Sequence, residues 1–177
     1  MIPTDDQLVG ALDLFDVPFL TGGVQDEVAH SLTPAELLQG LAQSSDARVR
    51  SAIIPLLLRH PEFAPDAQIA ESDLQDIPHI NLVCFYTAAI LLQKKYPERL
   101  AHLFGTQPTL PDLFSDELKI EFSNDAAEAL RQLGERNAVL RGLEMNWAGG
   151  YEHAARTWLG YVELRAERRK KRAWQTV

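Results

Sequence analysis

Apolar residues in this chain recur every three or four positions and almost nowhere in strict alternation, so the pattern predicts helices from end to end. Thr4 opens the first, with Gln7 at the capping-box position and Leu8, Val9, Leu12 and Phe15 on one face. A loop follows over residues 16–27, DVPFLTGGVQDE, punctuated by Pro18 and Gly22-Gly23. From Thr33 to Gln43 the signals recur: Thr33 as N-cap, Pro34 at the first helical position, Glu36 three residues on, then Leu37, Leu38 and Leu41 as an apolar stripe. Ser44-Ser45-Asp46 breaks that helix and supplies new caps. Val49, Ala52, Ile53, Leu56 and Leu57 mark a second helix over 46–60, which Pro55 should kink near its middle. Pro78 opens a helix to about Tyr96 that is apolar almost all round between Leu82 and Leu92. Such a helix belongs at the centre, with Leu82, Phe85, Ala89 and Leu92 touching the helices over 46–60 and 125–143.

Beyond it the pattern gives a short helix over 97–104 ended by Gly105, and another over 112–118 capped by Asp112. A longer helix runs from Ser123 or Asp125 to about Leu143, with Ala127, Leu130, Leu133 and Leu140 inward, and a last one from Asn146 to about Arg172. LKIEF at 118–122 alternates but has no second segment to pair with. The expected fold is therefore all-α: a single helical domain of about seven to eight helices, closing on a long C-terminal helix. Three parts are expected within it: an acidic N-terminal arm, or short helix plus loop, over 1–30; a helical core over 31–162; and a basic helical extension over 163–177.

The stretch Asp46 to Leu58, DARVRSAIIPLLL, has the spacing Asp-x-x-Val-Arg-x-Ala-x-x-x-x-x-Leu, which resembles the second helix of a HEAT-type repeat. With 33–43 before it, one HEAT-like helix pair is visible, while a solenoid takes about three or more stacked units. An ordinary amphipathic pair within a bundle is the competing reading. Over roughly residues 33–160, the segments LLRHPEF (57–63), FYTAAILLQ (85–93), LPDLFSDEL (110–118) and NWAGGYEHA (146–154) resemble a bacterial family of small helical proteins of uncharacterised function. Members of that family are encoded beside nucleotidyltransferases of the toxin–antitoxin or defence type. The resemblance implies a protein partner, a neighbouring gene product, and carries over no catalytic residue.

Composition narrows the class without naming an activity. A chain of 177 residues, 46% hydrophobic and 24% charged, can bury a full core and is not a disordered type. It has no apolar run approaching a membrane span, and MIPTDDQLVG lacks the positive start of a signal peptide. Cys84 is the single cysteine, so no internal disulfide is open to it and a reducing compartment is expected. The expectation is a soluble, cytoplasmic protein that engages no membrane.

Charge is distributed unevenly. Residues 1–47 hold eight acids and no Lys or Arg. Residues 163–177 hold six bases against Glu163 and Glu167, a net of +4, which leaves −12 on the remainder of a chain whose total is −8. On a helix, Trp147, Tyr151, Ala154, Trp158, Tyr161 and Val162 make one stripe, and the same stripe continues as Arg165, Arg168, Arg169 and Arg172. Trp158, Tyr161 and Val162 are thus expected to be the last buried residues, because unpaired cations do not enter an apolar core. Arg165, Arg168, Arg169, Lys170, Lys171 and Arg172 are the candidate anion- or nucleic-acid-binding set. The readings open to it are a solvated helix end that complements the helix dipole, a contact with an acidic surface, and a phosphate contact. At the other end, Leu8, Val9, Leu12, Leu14, Phe15, Phe19 and Leu20 mingle with acids. That mix suits an acidic arm docking on a basic groove, in trans or on the chain's own arginines. Leu12, Phe15, Phe19, Arg48, Arg50 and Arg59 are accordingly the candidate protein-binding set.

Catalytic patterns are sparse. The five histidines form no His-x-x-x-His pair and have no second cysteine beside them, so no metal site is expected. Gly22-Gly23 and Gly149-Gly150 follow no strand and lack the Lys-Ser/Thr of a phosphate loop. Glu152-His153 offers acid–base groups, yet a polar pair on an amphipathic helix is far commoner. The aromatic stripe could stack on bases, but at helical spacing it is usually core. The sequence therefore points to a non-enzymatic interaction module without cofactor: an adaptor, antitoxin-like protein or accessory subunit with a protein partner. The alternative is a nucleic-acid-binding accessory protein working through its basic C-terminal helix.

Overall fold

The computed structural model describes residues 2–144, 146 and 148–176. The helices are α1 Asp5–Leu14, α2 Glu27–Ser31, α3 Pro34–Gln43, α4 Ala47–Ser51 and α5 Ile53–Arg59, then a 3-10 turn at Pro61–Phe63. There follow α6 Ala64–Ser72, α7 Asp76–Lys95, α8 Pro97–Phe104, α9 Ser115–Leu118, α10 Ala126–Arg141 and α11 Ala148–Gln175. Among the described residues there is no strand, and 72% of the chain is helical, which makes the fold all-α. Setting aside the one-turn α2 and α9, and counting α4 and α5 as one bent rod, leaves eight helices.

Local chemistry starts these helices where the sequence says it should. Thr4 Oγ1 accepts from the Gln7 amide at 3.3 Å while the Thr4 amide donates to Gln7 Oε1 at 2.9 Å. Thr33 and Glu36 repeat the arrangement at 2.8 and 3.2 Å. The break between α4 and α5 falls at Ala52, three residues before Pro55. Proline has no N–H to bond the carbonyl four residues back, and its ring crowds that carbonyl, so the rod parts there. Gly105 ends α8 with φ 70°, and Gly142 ends α10 with φ 66°.

α7 is the central helix. It packs most extensively on α10 and α5, then on α3, and Leu82, Ala89 and Leu92 are fully buried. Phe85 is partly buried, its ring edge-on against Tyr151 of α11 with centroids 5.5 Å apart. Polar groups in this core mostly have partners: Asn81 Nδ2 donates to the Ala42 carbonyl at 2.8 Å, and the Thr87 hydroxyl to the Val83 carbonyl at 2.7 Å. Cys84 is buried here, and loss of solvation pushes its thiol pKa up to about 12. A thiol held that far from ionisation is a poor nucleophile. A disulfide reagent at neutral pH should therefore label Cys84 only after unfolding, one thiol per chain in denaturant and none in the native protein over the same minutes.

The N-terminal segment is part of this core and not a separate arm. Leu8, Val9, Ala11 and Leu12 of α1 are buried, as are Val17 and Ala29. The loop after α1 turns back across that helix, its Val24 amide donating to the Asp6 carbonyl at 2.8 Å. The crossing is backbone on backbone: a Cβ added at Gly10 would sit 2.0 Å from the Val24 oxygen, and one added at Gly23 would sit 2.4 Å from the Gly10 nitrogen. Leu8, Val9 and Leu12, which looked available to a partner, are consumed in the core, where α1 covers α3 and α4, while Leu14 stays 41% exposed. A second correction concerns α10. Leu130 and Leu133 face inward, but Ala127 is exposed and Leu140 is 37% exposed. The buried stripe continues instead through Gly134, Asn137 and Ala138, small or polar residues that allow close approach of neighbouring backbone.

Candidate interaction surface

The long helix α11 starts where Asn146 Oδ1 accepts from the Ala148 amide at 2.9 Å, at the beginning the sequence predicts for it. Gly134 makes room for it: a Cβ there would lie 2.0 Å from that same Oδ1. Trp147, the first residue of the predicted aromatic stripe, lies outside the described residues. From there α11 runs 28 residues, a length of about 42 Å at 1.5 Å per residue.

Its first half is fastened to the body. Tyr151, Ala154, Ala155, Trp158 and Leu159 are buried. Tyr151 Oη accepts from Asn137 Nδ2 at 2.7 Å, and the Trp158 indole stacks on Phe104 at 5.5 Å and 16°. Two polar clamps flank these aromatics. Glu152 Oε1 accepts from Lys95 Nζ at 2.7 Å and from Tyr96 Oη at 2.5 Å. Arg99 grips Glu163 with two bonds of 2.7 and 2.9 Å. Lys95, and next the Tyr96 hydroxyl, hold the Glu152 carboxyl below its usual pKa, and Arg99 does the same for Glu163. Glu152 is thus a fastening, with His153 exposed beside it and hydrogen-bonded only to Thr157 at 3.5 Å.

Past Glu163 the fastening ends. Arg165 is partly covered, its guanidinium 5.8 Å from the Tyr161 ring centre, and it is near enough to Asp13 to act on its carboxylate. Arg168, Arg169, Lys170, Lys171 and Arg172 are exposed, and no ion pair holds them among the described residues. Val162 is the last core contact on this helix. Tyr161, expected inside, is 49% exposed, and beyond it Leu164 is 45% and Trp174 84% exposed. Leu164 and Trp174 lie off the inward stripe that the sequence singled out, while Tyr161 lies on it and is nonetheless half exposed. Trp174 within KKRAWQ was the visible signal.

At the root of the projecting half, Asp16, Pro18, Arg59, Leu103, Phe104, Val162, Arg165 and Arg169 line a groove of about 260 Å³. Arg59 is anchored in it, pairing with Asp16 at 3.2 Å and lying 4.8 Å over the Phe104 ring. Here the acidic loop docks in cis on one of the chain's own arginines. The other candidate protein-binding residues are occupied too. Leu12 is 1% exposed, and Phe15 and Phe19 pack on the core. Arg48 pairs with Asp46 at 3.0 Å, and Arg50 bonds the Ser44 and Ser45 carbonyls at 2.8 Å each. Five of these six side chains are engaged within the fold, whereas the Arg48 side chain is 81% exposed beside Asp46. The six C-terminal cations do share one exposed, projecting helix. No helix among the described residues is long and apolar enough to cross a membrane.

No protein-family profile, curated protein or solved structure matches this chain.

Proposed function

We propose that the chain is a non-enzymatic interaction module that binds the acidic face of a protein partner through the free half of α11 and the groove at its root. One observation carries this: α11 leaves the body after Glu163 with Arg168, Arg169, Lys170, Lys171 and Arg172 in no ion pair among the described residues and Tyr161, Leu164 and Trp174 open to solvent. Aromatic and arginine side chains are the types that dominate binding energy at protein interfaces. The exposed part of this helix, residues 164–175, makes about three turns, is fixed at one end and presents them in a preorganised array, at little further entropic cost. A protein partner fits better than nucleic acid because the rest of the chain carries −12 and repels an extended polyanion, whereas a local acidic patch meets the helix alone. The product of a neighbouring gene is the partner of choice, as the resemblance in 33–160 implies. The buried free thiol of Cys84 suits a reducing, cytoplasmic setting.

The test uses the quadruple variant Arg168→Ala, Arg169→Ala, Lys170→Ala, Lys171→Ala. Exposed charges that hold no ion pair among the described residues should together contribute no more than about 1 kcal/mol, so its melting temperature should stay within about 4 °C of the parent. Capture of the partner from nuclease-treated lysate of the native host should fall at least tenfold, and the parent's capture should weaken as salt rises. Capture unchanged by the substitutions contradicts the proposal. Capture that disappears on nuclease treatment transfers the surface to nucleic acid.

A further inference from the structure

We infer that Glu71, His79 and Glu117 form a binding site for a divalent transition-metal ion. The three side chains come from different helices: Glu71 near the end of α6, His79 in the first turn of α7, Glu117 in α9. They lie 8 and 38 residues apart in sequence, which is why no ligand spacing reveals them. The fold brings one ligand atom from each within 4.8 Å of the others. Glu71 Oε1 is 3.3 Å from His79 Nδ1, and Glu117 Oε1 meets His79 Nε2.

The arrangement is short of positive charge. Among the described residues neither carboxylate has a lysine or arginine partner; each ion pair ends on His79. A neutral imidazole has a single N–H, so it can donate to one of the two carboxylates while its other nitrogen turns a lone pair toward the second. A dication balances both carboxylates; it takes the lone pair of one ring nitrogen, and the carboxylate that faces the other nitrogen swings to the same ring edge to join it. One imidazole with two carboxylates is a donor set for zinc-like ions, whereas calcium takes six to eight oxygens and magnesium keeps its waters. Metal–ligand bonds of about 2.0–2.2 Å place tetrahedral ligand atoms about 3.3–3.6 Å apart, so shifts on the order of 1 Å are needed, the close Glu117–His79 contact opening and the widest separation closing. Side chains that are partly exposed, as these are, reach that by rotamer adjustment, and solvent supplies the fourth ligand. The ion would tie the 105–125 segment to the α6–α7 corner, where Asp76 already takes a left-handed turn at φ 53°.

Zinc chloride alone, added to the full chain and followed by calorimetric titration and thermal melting, tests this. The parent should bind one equivalent and, at about a hundredfold excess over the dissociation constant, melt about 5–10 °C higher. His79→Ala and Glu117→Gln should each weaken binding at least tenfold, while His153→Ala should bind as the parent does. Glu117→Gln keeps the side-chain shape at a half-exposed position, so it decides the matter even if the histidine variant folds poorly. Absence of a zinc-induced shift in the parent, or an equal shift in Glu117→Gln, would overturn the inference.

Discussion

Trp158→Ala should lower the stability of this protein by about 3–5 kcal/mol, the cost of emptying a fully buried aromatic site. Trp158 has no exposed surface and stacks on Phe104, whose ring also carries Arg59. It sits between the Lys95–Glu152 and Arg99–Glu163 clamps, so its loss removes the apolar fill between two polar fastenings. Its helix packs there on α5 and α8. Trp158→Phe should cost clearly less. Its smaller ring leaves a void, but the indole Nε1, buried with no hydrogen-bond partner among the described residues, goes with it. Removing an unsatisfied buried donor returns about 1–3 kcal/mol. Urea unfolding midpoints of the two variants check both statements; a cost under about 1 kcal/mol for the alanine variant would mean that α11 is not fastened where the packing says it is.

Deletion of residues 1–30 should abolish cooperative folding. The deletion removes Leu8, Val9, Leu12 and Val17 from the core, four side chains whose burial is worth about 1.5–3 kcal/mol each. The sum, roughly 6–12 kcal/mol, matches the whole stability of an ordinary domain. It would also strip the cover from α3 and α4 and leave Arg59 without Asp16. The expected result is loss of the sigmoidal thermal transition and of dispersed amide resonances. A truncated chain that melts cooperatively would restore the N-terminal segment as a detachable arm. The acidic, apolar composition of 1–30 invites that second picture. What the composition conceals is the backbone contact of Gly10 with Gly23, which folds the segment onto itself before any side chain reaches a partner.

The parts of the fold that were legible in the sequence are those set by local chemistry. Thr4 with Gln7, Thr33 with Glu36, Asn146 before α11 and Gly105 after α8 each satisfy helix-end groups within a few residues, so spacing alone reveals them. The central place of α7 was legible because a helix apolar on every side has nowhere else to go. Long-range placement was not legible. Leu140 looks like core and faces solvent, while Gly134 and Asn137 look neutral and face inward; only the crossing of α10 with α7 and α11 decides between them. The same holds for function. The six C-terminal cations stood out as a run in the sequence, but whether they were paired depended on where Glu163 and the acidic loop come to rest. Glu71, His79 and Glu117 gave no signal at all, since nothing in the chain announces that three distant helix ends meet.

The most direct measurement of the central claim is amide hydrogen exchange across α11 in the isolated chain and in its complex with the captured partner. In the isolated chain, protection should persist through the buried stretch from Tyr151 to Leu159 and fall away over residues 164–175. On binding, new protection should appear over 161–175 and at the groove residues around Arg59 and Phe104. Protection gained elsewhere, with 161–175 exchanging as fast in the complex as alone, would contradict the assignment of this helix as the partner-binding surface.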